Sequence, residues 1–348
     1  MKKDSSVLKE YSYDVPSDLI ASVPATPRDS SRLLVYETRH GSLTDSVFKN
    51  ISDFIPRGAL LVMNETKVVP ARIILTKKTG GRAEILFYIN EWDMKSERIQ
   101  AISDRKLSPG DALFYEGEEI CKVIDQKENL FTLSLSLSPE NLLKLLEENG
   151  SMPIPKYIKG KTLSENDLRT RYQTVFAKNT GSIAAPTASL HFTPEVFASL
   201  KEKGVNVAYL TLHVGAGTFA PVTEKEISSR KLHRECFMIP SETKKAITEA
   251  KAEKRPIIAV GTTALRALES AAIDSAAQET ELFIKKPYNF RVADGLLTNF
   301  HVPQSSLMCL VDAFLDFKKP KTNILDMYRY AIEKRYRFFS FGDAMLII

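Results

Sequence analysis

A strand, a tight turn and a helix are predicted by PIIAVGTTALRALESAA, residues 256–272. Its first five residues are apolar or proline, as in a short buried strand, and the glycine and two hydroxyl residues that follow are typical of a turn. Residues 264–272 then have the length and composition of a helix. Short buried strands are predicted in the same way over residues 32–36 and 59–63. The first and last parts of the chain therefore indicate an α/β domain.

The pattern changes between residues 70 and 138, where six short β-rich runs follow one another: 71–76, 83–89, 98–102, 112–115, 119–125 and 130–137. Turn residues separate them, as in Thr79-Gly80-Gly81 and Ser108-Pro109-Gly110-Asp111. Such runs predict a small barrel or a sandwich. Ser138 can cap a helix that follows, with Pro139 at its first position and Gly150 at its end. We therefore predict a discontinuous α/β domain, residues 1–69 and 150–348, interrupted by an all-β domain, residues 70–149.

Composition narrows the class of protein. The chain has 348 residues, of which 43% are hydrophobic and 26% charged, which is enough to bury a large core. Its three cysteines lie far apart and are odd in number, so neither a disulfide framework nor a cysteine zinc site is predicted. No apolar run reaches the ~18 residues of a membrane-spanning helix, and we expect a cytoplasmic protein without membrane contact. The formal net charge of +5 weakly favours a polyanionic partner.

Positive charge is concentrated in residues 318–337. Seven lysines and arginines lie there against two acids, Asp326 and Glu333, and Tyr328, Tyr330 and Tyr336 are interleaved with them. Two interpretations are open: the solvated face of an amphipathic helix, or a phosphate-contacting face with stacking aromatics.

Two glycine-containing turns allow a ligand to approach the backbone. The first is Gly261-Thr262-Thr263, where the free N–H groups of the predicted helix suit an anion and Arg266 follows on the first turn. The same residues also make an ordinary helix N-cap. The second turn, residues 213–219, contains Gly215 and Gly217 but lacks the third glycine and the helix of a dinucleotide fingerprint.

The histidines are unevenly placed. Only five occur, and His191, His213, His233 and His301 all fall in the second half of the chain. An unperturbed pKa of about 6.5 suits histidine to proton transfer near neutral pH, although each one alone is also typical of a hydrogen-bonded structural residue. A zinc site built on His233-x-Glu235 is the alternative, but the spacing of known zinc motifs is absent.

Three polar clusters are predicted at strand edges: Arg28-Asp29-Ser30-Ser31-Arg32, Asn64-Glu65-Thr66-Lys67 and Arg171-Tyr172-Gln173-Thr174. Each is rich in hydroxyl or bidentate donors that suit ribose, phosphate or amino-acid groups. A surface network of ion pairs has the same composition, so both interpretations stay open.

Taken in order, these segments resemble one family, the S-adenosylmethionine:tRNA ribosyltransferase-isomerases of queuosine biosynthesis. The resemblance covers Tyr13-Asp14 and then residues 28–34, 64–72, 171–177, 181–193, 211–222, 259–270, 297–307 and 336–345. It implies an α/β domain interrupted by a β-barrel. It also implies an enzyme that moves the ribosyl group of S-adenosylmethionine onto 7-aminomethyl-7-deazaguanine at the tRNA wobble position, giving epoxyqueuosine-tRNA and releasing adenine and methionine.

The resemblance implies roles for particular residues. S-adenosylmethionine is consumed as a substrate, so no cofactor is expected. The sulfonium makes the ribose C5′ proton acidic, and we expect His213 or His301 as the base, with Asp343 orienting or relaying. Gly215, Gly217 and Gly261 would let the backbone approach the donor, and Arg28 and Arg266 would hold RNA or a carboxylate. The other residues expected to contact substrate are Asp29, Arg32, Asn64, Thr66, Arg72, Tyr172, Gln173, His191, Phe192, Thr218, Phe219, Thr262, Thr263 and Asn299.

The chain departs from the family pattern at Ser189, where glycine is usual, Lys67 for arginine, Arg230 for histidine and Gln304 for lysine. Two alternative functions therefore remain, a non-catalytic RNA-binding relative and a histidine-ligated metal hydrolase. The expected partners are tRNA with a 7-deazaguanine precursor and S-adenosylmethionine. A monomer is expected because no heptad or exposed apolar stripe stands out.

Overall fold

The computed structural model describes residues 6–93, 95–155, 158, 163–215 and 222–348. Its strands are β1 (Arg32–Glu37), β2 (Ser42–Val47), β3 (Leu60–Asn64), β4 (Thr66–Val68), β5 (Arg72–Lys77), β6 (Arg82–Phe87), β7 (Arg98–Ser103), β8 (Ala112–Tyr115), β9 (Glu118–Lys127), β10 (Leu130–Leu135), β11 (Asn179–Ser182), β12 (Asn206–Leu212), β13 (Lys231–Met238), β14 (Ile257–Val260), β15 (Glu279–Leu282), β16 (Gly295–Asn299) and β17 (Ala344–Ile347). Its α-helices are α1 (Ile51–Phe54), α2 (Pro139–Asn149), α3 (Glu165–Arg171), α4 (Pro194–Glu202), α5 (Glu224–Ser229), α6 (Ser241–Ala252), α7 (Thr262–Ile273), α8 (Ser306–Phe317) and α9 (Ile324–Glu333).

Nine of the described strands form one mixed sheet in the order β15-β13-β12-β3-β14-β16-β17-β1-β2. The four central strands β12, β3, β14 and β16 are parallel to one another. Strand β17 runs antiparallel to β16 and parallel to β1. The carboxyl ends of the four central strands therefore lie at the same edge of the sheet as the amino ends of β17 and β1.

The sheet is covered on both faces, as the run of buried residues in its central strands requires. In β3, Leu60 and Val62 pack into one core, and Leu61 and Met63 pack into the core on the other face. The first core contains side chains of α7, α8 and α9, and the second contains side chains of α1 and α4. Strand, turn and helix over β14 and α7 agree with the prediction for residues 256–272.

A closed barrel of six antiparallel strands, in the order β10-β7-β6-β5-β8-β9, lies between β4 and α3 in the chain. Its interior is a separate hydrophobic core, against which Leu142 and Leu146 of α2 pack. Ser138 caps α2 by accepting a hydrogen bond from the N–H of Asn141 at 3.3 Å, as predicted. The fold class is thus confirmed as an α/β domain with an inserted all-β barrel, whereas the boundaries at 69/70 and 149/150 stay predictions.

The segments just before and just after the barrel meet at Pro70 and Gly150. A Cβ atom on this glycine would lie 2.0 Å from the carbonyl oxygen of Pro70, so only glycine allows the two crossing segments to approach this closely. The N–H of Ser151 then donates to the carbonyl of Arg72 at 2.7 Å, which ties the returning chain to the first barrel strand.

The basic segment 318–337 contains helix α9 and the residues on either side of it, and most of its charged side chains are exposed. Tyr328 and Tyr336 are fully buried, and the hydroxyls of Tyr330 and Tyr336 both donate to the carboxylate of Asp45. Tyr328 and Tyr336 therefore stabilise the fold and have no ring face for a base, so the stacking interpretation is wrong for these two; for the half-buried Tyr330 it stays open. In the part of the chain that is described, no helix has the length and apolar character needed to cross a bilayer.

Candidate active site at the strand-end edge

Several predicted residues meet where the central strands end. A narrow cavity lies there, lined by Gly261, Thr262 and Thr263 at the start of α7, by Asn299 and His301 after β16, and by residues that include Thr187, Val214 and Leu307. Ligands of open α/β sheets bind at the carboxyl ends of the strands, because the turns there expose backbone groups and helix N-termini. Gly261 has a φ of +88°, which favours glycine and directs the chain from β14 into α7.

Asn64 joins three elements at this edge. Its Oδ1 accepts from the N–H of Leu212 at 3.0 Å and from that of Thr66 at 3.2 Å. Its Nδ2 donates to the Leu212 carbonyl at 2.9 Å and to the hydroxyl of Thr263 at 3.2 Å. The side chain is fully buried, so in this structure its amide holds β3, β12 and α7 together instead of facing a ligand.

His213 follows β12 directly. The hydroxyl of Thr66 lies 2.8 Å from its Nδ1, and its ring lies against Gly181, where a Cβ atom would come within 2.8 Å of Cε1. Among the described residues no hydrogen bond to Nε2 is formed. Burial lowers the pKa of this half-buried imidazole, so the neutral form is favoured. A neutral imidazole with one oriented nitrogen and one free nitrogen is suited to accept a proton.

His301 is more tightly held. The hydroxyl of Thr298 lies 2.7 Å from its ring Nε2. The backbone N–H of His301 donates to the Tyr328 hydroxyl at 2.9 Å, and its backbone carbonyl accepts from the Tyr13 hydroxyl. Burial lowers its pKa to about 3. The ring lines the cavity as a neutral group that is only weakly basic.

His191 and Asn299 form a second polar link. The hydroxyl of Ser31 lies 2.8 Å from Nδ1 of His191, and Nδ2 of Asn299 lies 3.3 Å from its Nε2. Asn299 also accepts from the hydroxyl of Thr187 at 2.8 Å. Burial lowers the pKa of His191 to about 4, partly offset by Asp343. Both of its ring nitrogens are therefore occupied within the protein.

Asp343 lies beside this link but pairs with an arginine. Its carboxylate accepts from Nε and Nη2 of Arg337 at 3.2 and 3.0 Å, from the N–H of Arg337 at 2.8 Å and from that of Arg32 at 3.1 Å. None of the hydrogen bonds recorded for this carboxylate in the described chain reaches His213 or His301. Its backbone carbonyl accepts from Nδ2 of Asn299 at 3.4 Å, and the same Nδ2 lies 3.3 Å from Nε2 of His191.

Arg266 differs from its prediction. Although it lies on the first turn of α7, its guanidinium is buried in an ion pair with Glu235 of β13, and Nε donates to the carbonyl of Leu282 at 3.1 Å. Glu235 also accepts from the N–H of Gly215 at 2.9 Å. The Arg266–Glu235 pair thus holds the turn after His213 in place. Because its charge is paired inside the protein, Arg266 does not present a free cation to RNA.

The model of one protein family, described as queuosine biosynthesis protein, matches residues 8–347 of this chain. The chain belongs to this family.

Relatives in the queuosine biosynthesis family match it almost end to end. A protein of Legionella pneumophila strain Paris named S-adenosylmethionine:tRNA ribosyltransferase-isomerase is 42% identical over 345 residues, which cover 98% of this chain and 99% of the relative. One of the same name from Aquifex aeolicus is 41% identical over 341 residues, with coverage of 98% and 99%. The crystal structure of S-adenosylmethionine tRNA ribosyltransferase from Thermotoga maritima is similar to this structure with a TM-score of 0.54 and 31% identity, covering 97% of this chain and 100% of that one.

Other predicted contacts of this family member lie in intramolecular bonds near the edge. Arg28 donates to the carbonyls of Gln173 and Thr170, and burial lowers its pKa. Gln173 bonds both backbone groups of Val68, at 3.0 and 2.7 Å. Asp29 accepts from the Thr193 hydroxyl at 3.1 Å.

Arg32 pairs with Asp45 at 3.1 Å and lies over the ring of Tyr336 at 3.7 Å. Like the contacts of Arg28, Asp29 and Gln173, this arrangement fits the ion-pair interpretation of the polar clusters. A direct substrate role for these residues stays a prediction.

Three further residues have packing or barrel positions. Phe192 is fully buried beside Phe48, with ring centroids 5.0 Å apart, and Tyr172 is fully buried against Phe341 at 5.7 Å. In this structure these two rings fill cores and have no surface for a ligand. Arg72 pairs with Glu84 within the barrel. Gly217, Thr218 and Phe219 lie outside the described residues.

The sequence patterns missed the hydroxyl partners of the histidines. Thr298 lies three residues before His301, Thr66 was assigned to substrate and not to His213, and Ser31 was only part of a charged cluster. Thr66 and Ser31 lie 147 and 160 positions from their histidines, so no local pattern could have joined them. A hydroxyl three residues from a histidine is too common to have identified Thr298. Within the described ranges, no group of three or more His, Cys, Asp or Glu side chains is arranged to hold a metal ion.

Proposed function

We propose that this chain catalyses transfer and isomerisation of the ribosyl group of S-adenosylmethionine onto tRNA. The acceptor is 7-aminomethyl-7-deazaguanine at the wobble position, the product is epoxyqueuosine-tRNA, and adenine and methionine are released. The observation that carries this proposal is the match over 98% of the chain to enzymes named S-adenosylmethionine:tRNA ribosyltransferase-isomerase. The site at the strand ends supports it, because a neutral histidine, His301, and a helix N-terminus line one cavity, and His213 directly precedes Val214 of the same lining.

We assign the base to His213 among the two candidates. The optimum catalytic pKa lies near the operating pH, and a pKa of about 3 makes His301 a poor base at neutral pH. His213 is less buried and is oriented by Thr66, and no described residue forms a hydrogen bond with its Nε2, which can therefore take a substrate proton. In this assignment Nε2 of His213 takes the C5′ proton next to the sulfonium. His301, neutral and lining the cavity, serves as a hydrogen-bond partner for the donor.

The supporting role of Asp343 is indirect in this proposal. It neutralises Arg337 and shapes the backbone between β17 and β1, which in turn places Asn299 and His191. The substrates are tRNA and S-adenosylmethionine. A location in the cytoplasm follows from a tRNA substrate, while a monomeric state and the lack of a cofactor remain predictions.

The test is adenine release, measured by chromatography, from purified protein given S-adenosylmethionine and tRNA that carries the aminomethyl-deazaguanine. Unmodified tRNA is the control. Adenine formed only with the modified tRNA supports the proposal. Folded protein that binds tRNA but releases no adenine contradicts it and favours a non-catalytic relative; stoichiometric zinc in the purified protein favours the hydrolase.

A further inference from the structure

A cleft separate from the histidine cavity lies between the barrel and the main sheet. It has a volume of about 330 Å³. Its lining includes Tyr88, Glu91, Trp92, Asp93, Arg98 and Gln100 of the barrel strands and their connections, and Arg234 of β13. The segment from Ile89 to Glu91, a short 3-10 turn between β6 and β7, packs against β13, and its last residue lines the cleft. The volume is at the lower end of the range for small-ligand sites.

The side chains of the cleft combine three kinds of chemistry. Trp92 is only 9% exposed, and its indole Nε1–H donates to the carbonyl of Ser96 at 2.9 Å, which fixes the ring. Tyr88 is half-buried and lines the same cleft. Glu91 offers carboxylate oxygens, and its pKa is raised by burial, which marks an acid partly removed from water. Two flat rings and a buried acceptor suit a nucleobase, which has a π-face and N–H donors on its edge.

Two arginines, Arg98 and Arg234, also line the cleft. Arg98 is exposed, and its guanidinium has no hydrogen bond or ion pair to any described residue. Arg234 pairs with Glu279 at 3.0 Å, with half of its side chain exposed. A cation that the protein itself leaves unpaired, next to a base-sized cleft, suits a phosphate.

The 3-10 turn that lines the cleft through Glu91 also lies against the turn after His213. A Cβ atom on Gly215 would lie 2.7 Å from Nδ2 of Asn90, the residue before Glu91. The same glycine N–H is held by Glu235. Asn90 is 3% exposed, and its Oδ1 has no hydrogen-bond partner among the described residues. A ligand in the cleft would contact Glu91. The preceding residue, Asn90, lies against Gly215 in the turn after His213.

We infer that this cleft binds one nucleotide of the single-stranded part of the acceptor RNA, with its base between Tyr88 and Trp92, its N–H edge toward Glu91 and its phosphate at Arg98. The inference rests on the proposed function for the identity of the RNA. It adds a second contact, formed jointly by barrel and sheet, that places the RNA relative to His213. A duplex would not fit, because its bases are stacked and paired with each other.

The chain offers a direct probe, since Trp92 is its only tryptophan. Titration of the full-length protein with a single-stranded RNA heptamer is expected to quench tryptophan fluorescence, and the same heptamer annealed to its complement is expected to leave it unchanged. Arg98→Gln should weaken the heptamer by about tenfold and reduce the slope of log K against log salt by about one. Arg105→Gln removes the same charge from an exposed barrel position and serves as the matched control.

A second pair of variants tests stacking. Tyr88→Leu should weaken binding by about tenfold, whereas Tyr88→Phe keeps the ring and should retain the wild-type affinity. Unchanged fluorescence on saturation with the heptamer, or equal loss in Arg98→Gln and Arg105→Gln, overturns the inference. Adenine release measured on the same preparations separates the two proposals. Adenine release by a protein whose Trp92 fluorescence does not change supports the proposed function and contradicts RNA binding in the cleft. Quenching of Trp92 without adenine release supports RNA binding in the cleft and contradicts the proposed function.

Discussion

At the scale of single residues, the three histidines His191, His213 and His301 differ in how much of each ring is already bonded. His191 has both nitrogens occupied, by Ser31 and Asn299, and His301 has its pKa lowered to about 3. His213 has one nitrogen oriented by Thr66 and the other free of hydrogen bonds to the described residues. General-base catalysis needs a free nitrogen and a pKa not far from the working pH. These requirements separate His213 from its neighbours.

His213→Gln is therefore expected to lower kcat/KM for adenine release by at least about 100-fold, because positioned proton transfer contributes roughly that much or more. Thr66→Val should cause a smaller loss, since the base remains but loses the group that orients Nδ1. His40→Gln, an exposed substitution at the opposite edge of the sheet, is the control and should retain full activity. Activity of His213→Gln within a few-fold of wild type would exclude this residue as the base.

The pH dependence gives an independent test of the same assignment. A base works in its neutral form, so activity falls as the pH drops through its pKa. Burial lowers the pKa of His213, and the acid limb of kcat/KM should therefore lie below the ordinary histidine value of about 6.5. Steady-state rates between pH 4.5 and 8, on the order of ten points, would show this. A limb at or above the ordinary value would indicate a different base.

At the scale of elements, helix α4 shows how a cap can support the site. The hydroxyl of Thr193 accepts from the N–H of Val196 at 3.3 Å, and it donates to Asp29 at 3.1 Å. Thr193 lies two residues after His191. The cap therefore fixes both the start of α4 and the loop that carries the histidine.

Thr193→Ala should lower the free energy of unfolding by about 1 kcal/mol, the typical cost of losing a side-chain cap. Thr193→Ser keeps the hydroxyl and should stay within a few tenths of a kcal/mol of wild type. Urea unfolding followed by circular dichroism measures both. Equal stability of the alanine and serine variants would show that the hydroxyl contributes nothing here.

Elements were predictable where the evidence is local. The strand, turn and helix of β14 and α7, the short barrel strands and the cap of α2 all depend on residues within a few positions of one another. The reversal of β17 against β16 and the extension of the sheet by β13 and β15 were not predicted, because pairing joins residues far apart in the chain. The burial of Tyr328 and Tyr336 was not predicted for the same reason, since Tyr336 bonds Asp45 of β2 and Tyr328 bonds the backbone of His301.

At the scale of the whole molecule, the candidate site could be predicted as a set of residue types but not as contacts. Gly261, Thr263, Asn299 and His301 were named, and the structure brings them to one cavity. Arg266 was expected to face an anion because it follows a helix start, yet Glu235, 31 positions away, pairs with it inside the protein. A sequence of charged residues cannot show which cations are already neutralised, because their partners come from other strands.

The buried histidines also tie the stability of the molecule to pH. His191 has a pKa of about 4 and His301 of about 3 in the folded protein, whereas each titrates near 6.5 in the unfolded chain. As the pH falls below 6.5, the unfolded chain binds these protons and the folded protein does not. Each histidine should thus remove about 1.4 kcal/mol of unfolding free energy per pH unit, from about 6.5 down to its folded pKa.

Urea unfolding at pH 7.5 and pH 5.0 should therefore show a fall that His191→Gln reduces by about 2 kcal/mol, because one titrating group has been removed. Ser31→Ala is the matched control. It removes the hydrogen bond to Nδ1 but no titrating group, so it should lower stability at both pH values and keep most of the wild-type difference between them. If His191→Gln and wild type lose the same free energy over this interval, the imidazole is protonated in the folded state, and the site is more open to water than its burial in the structure indicates.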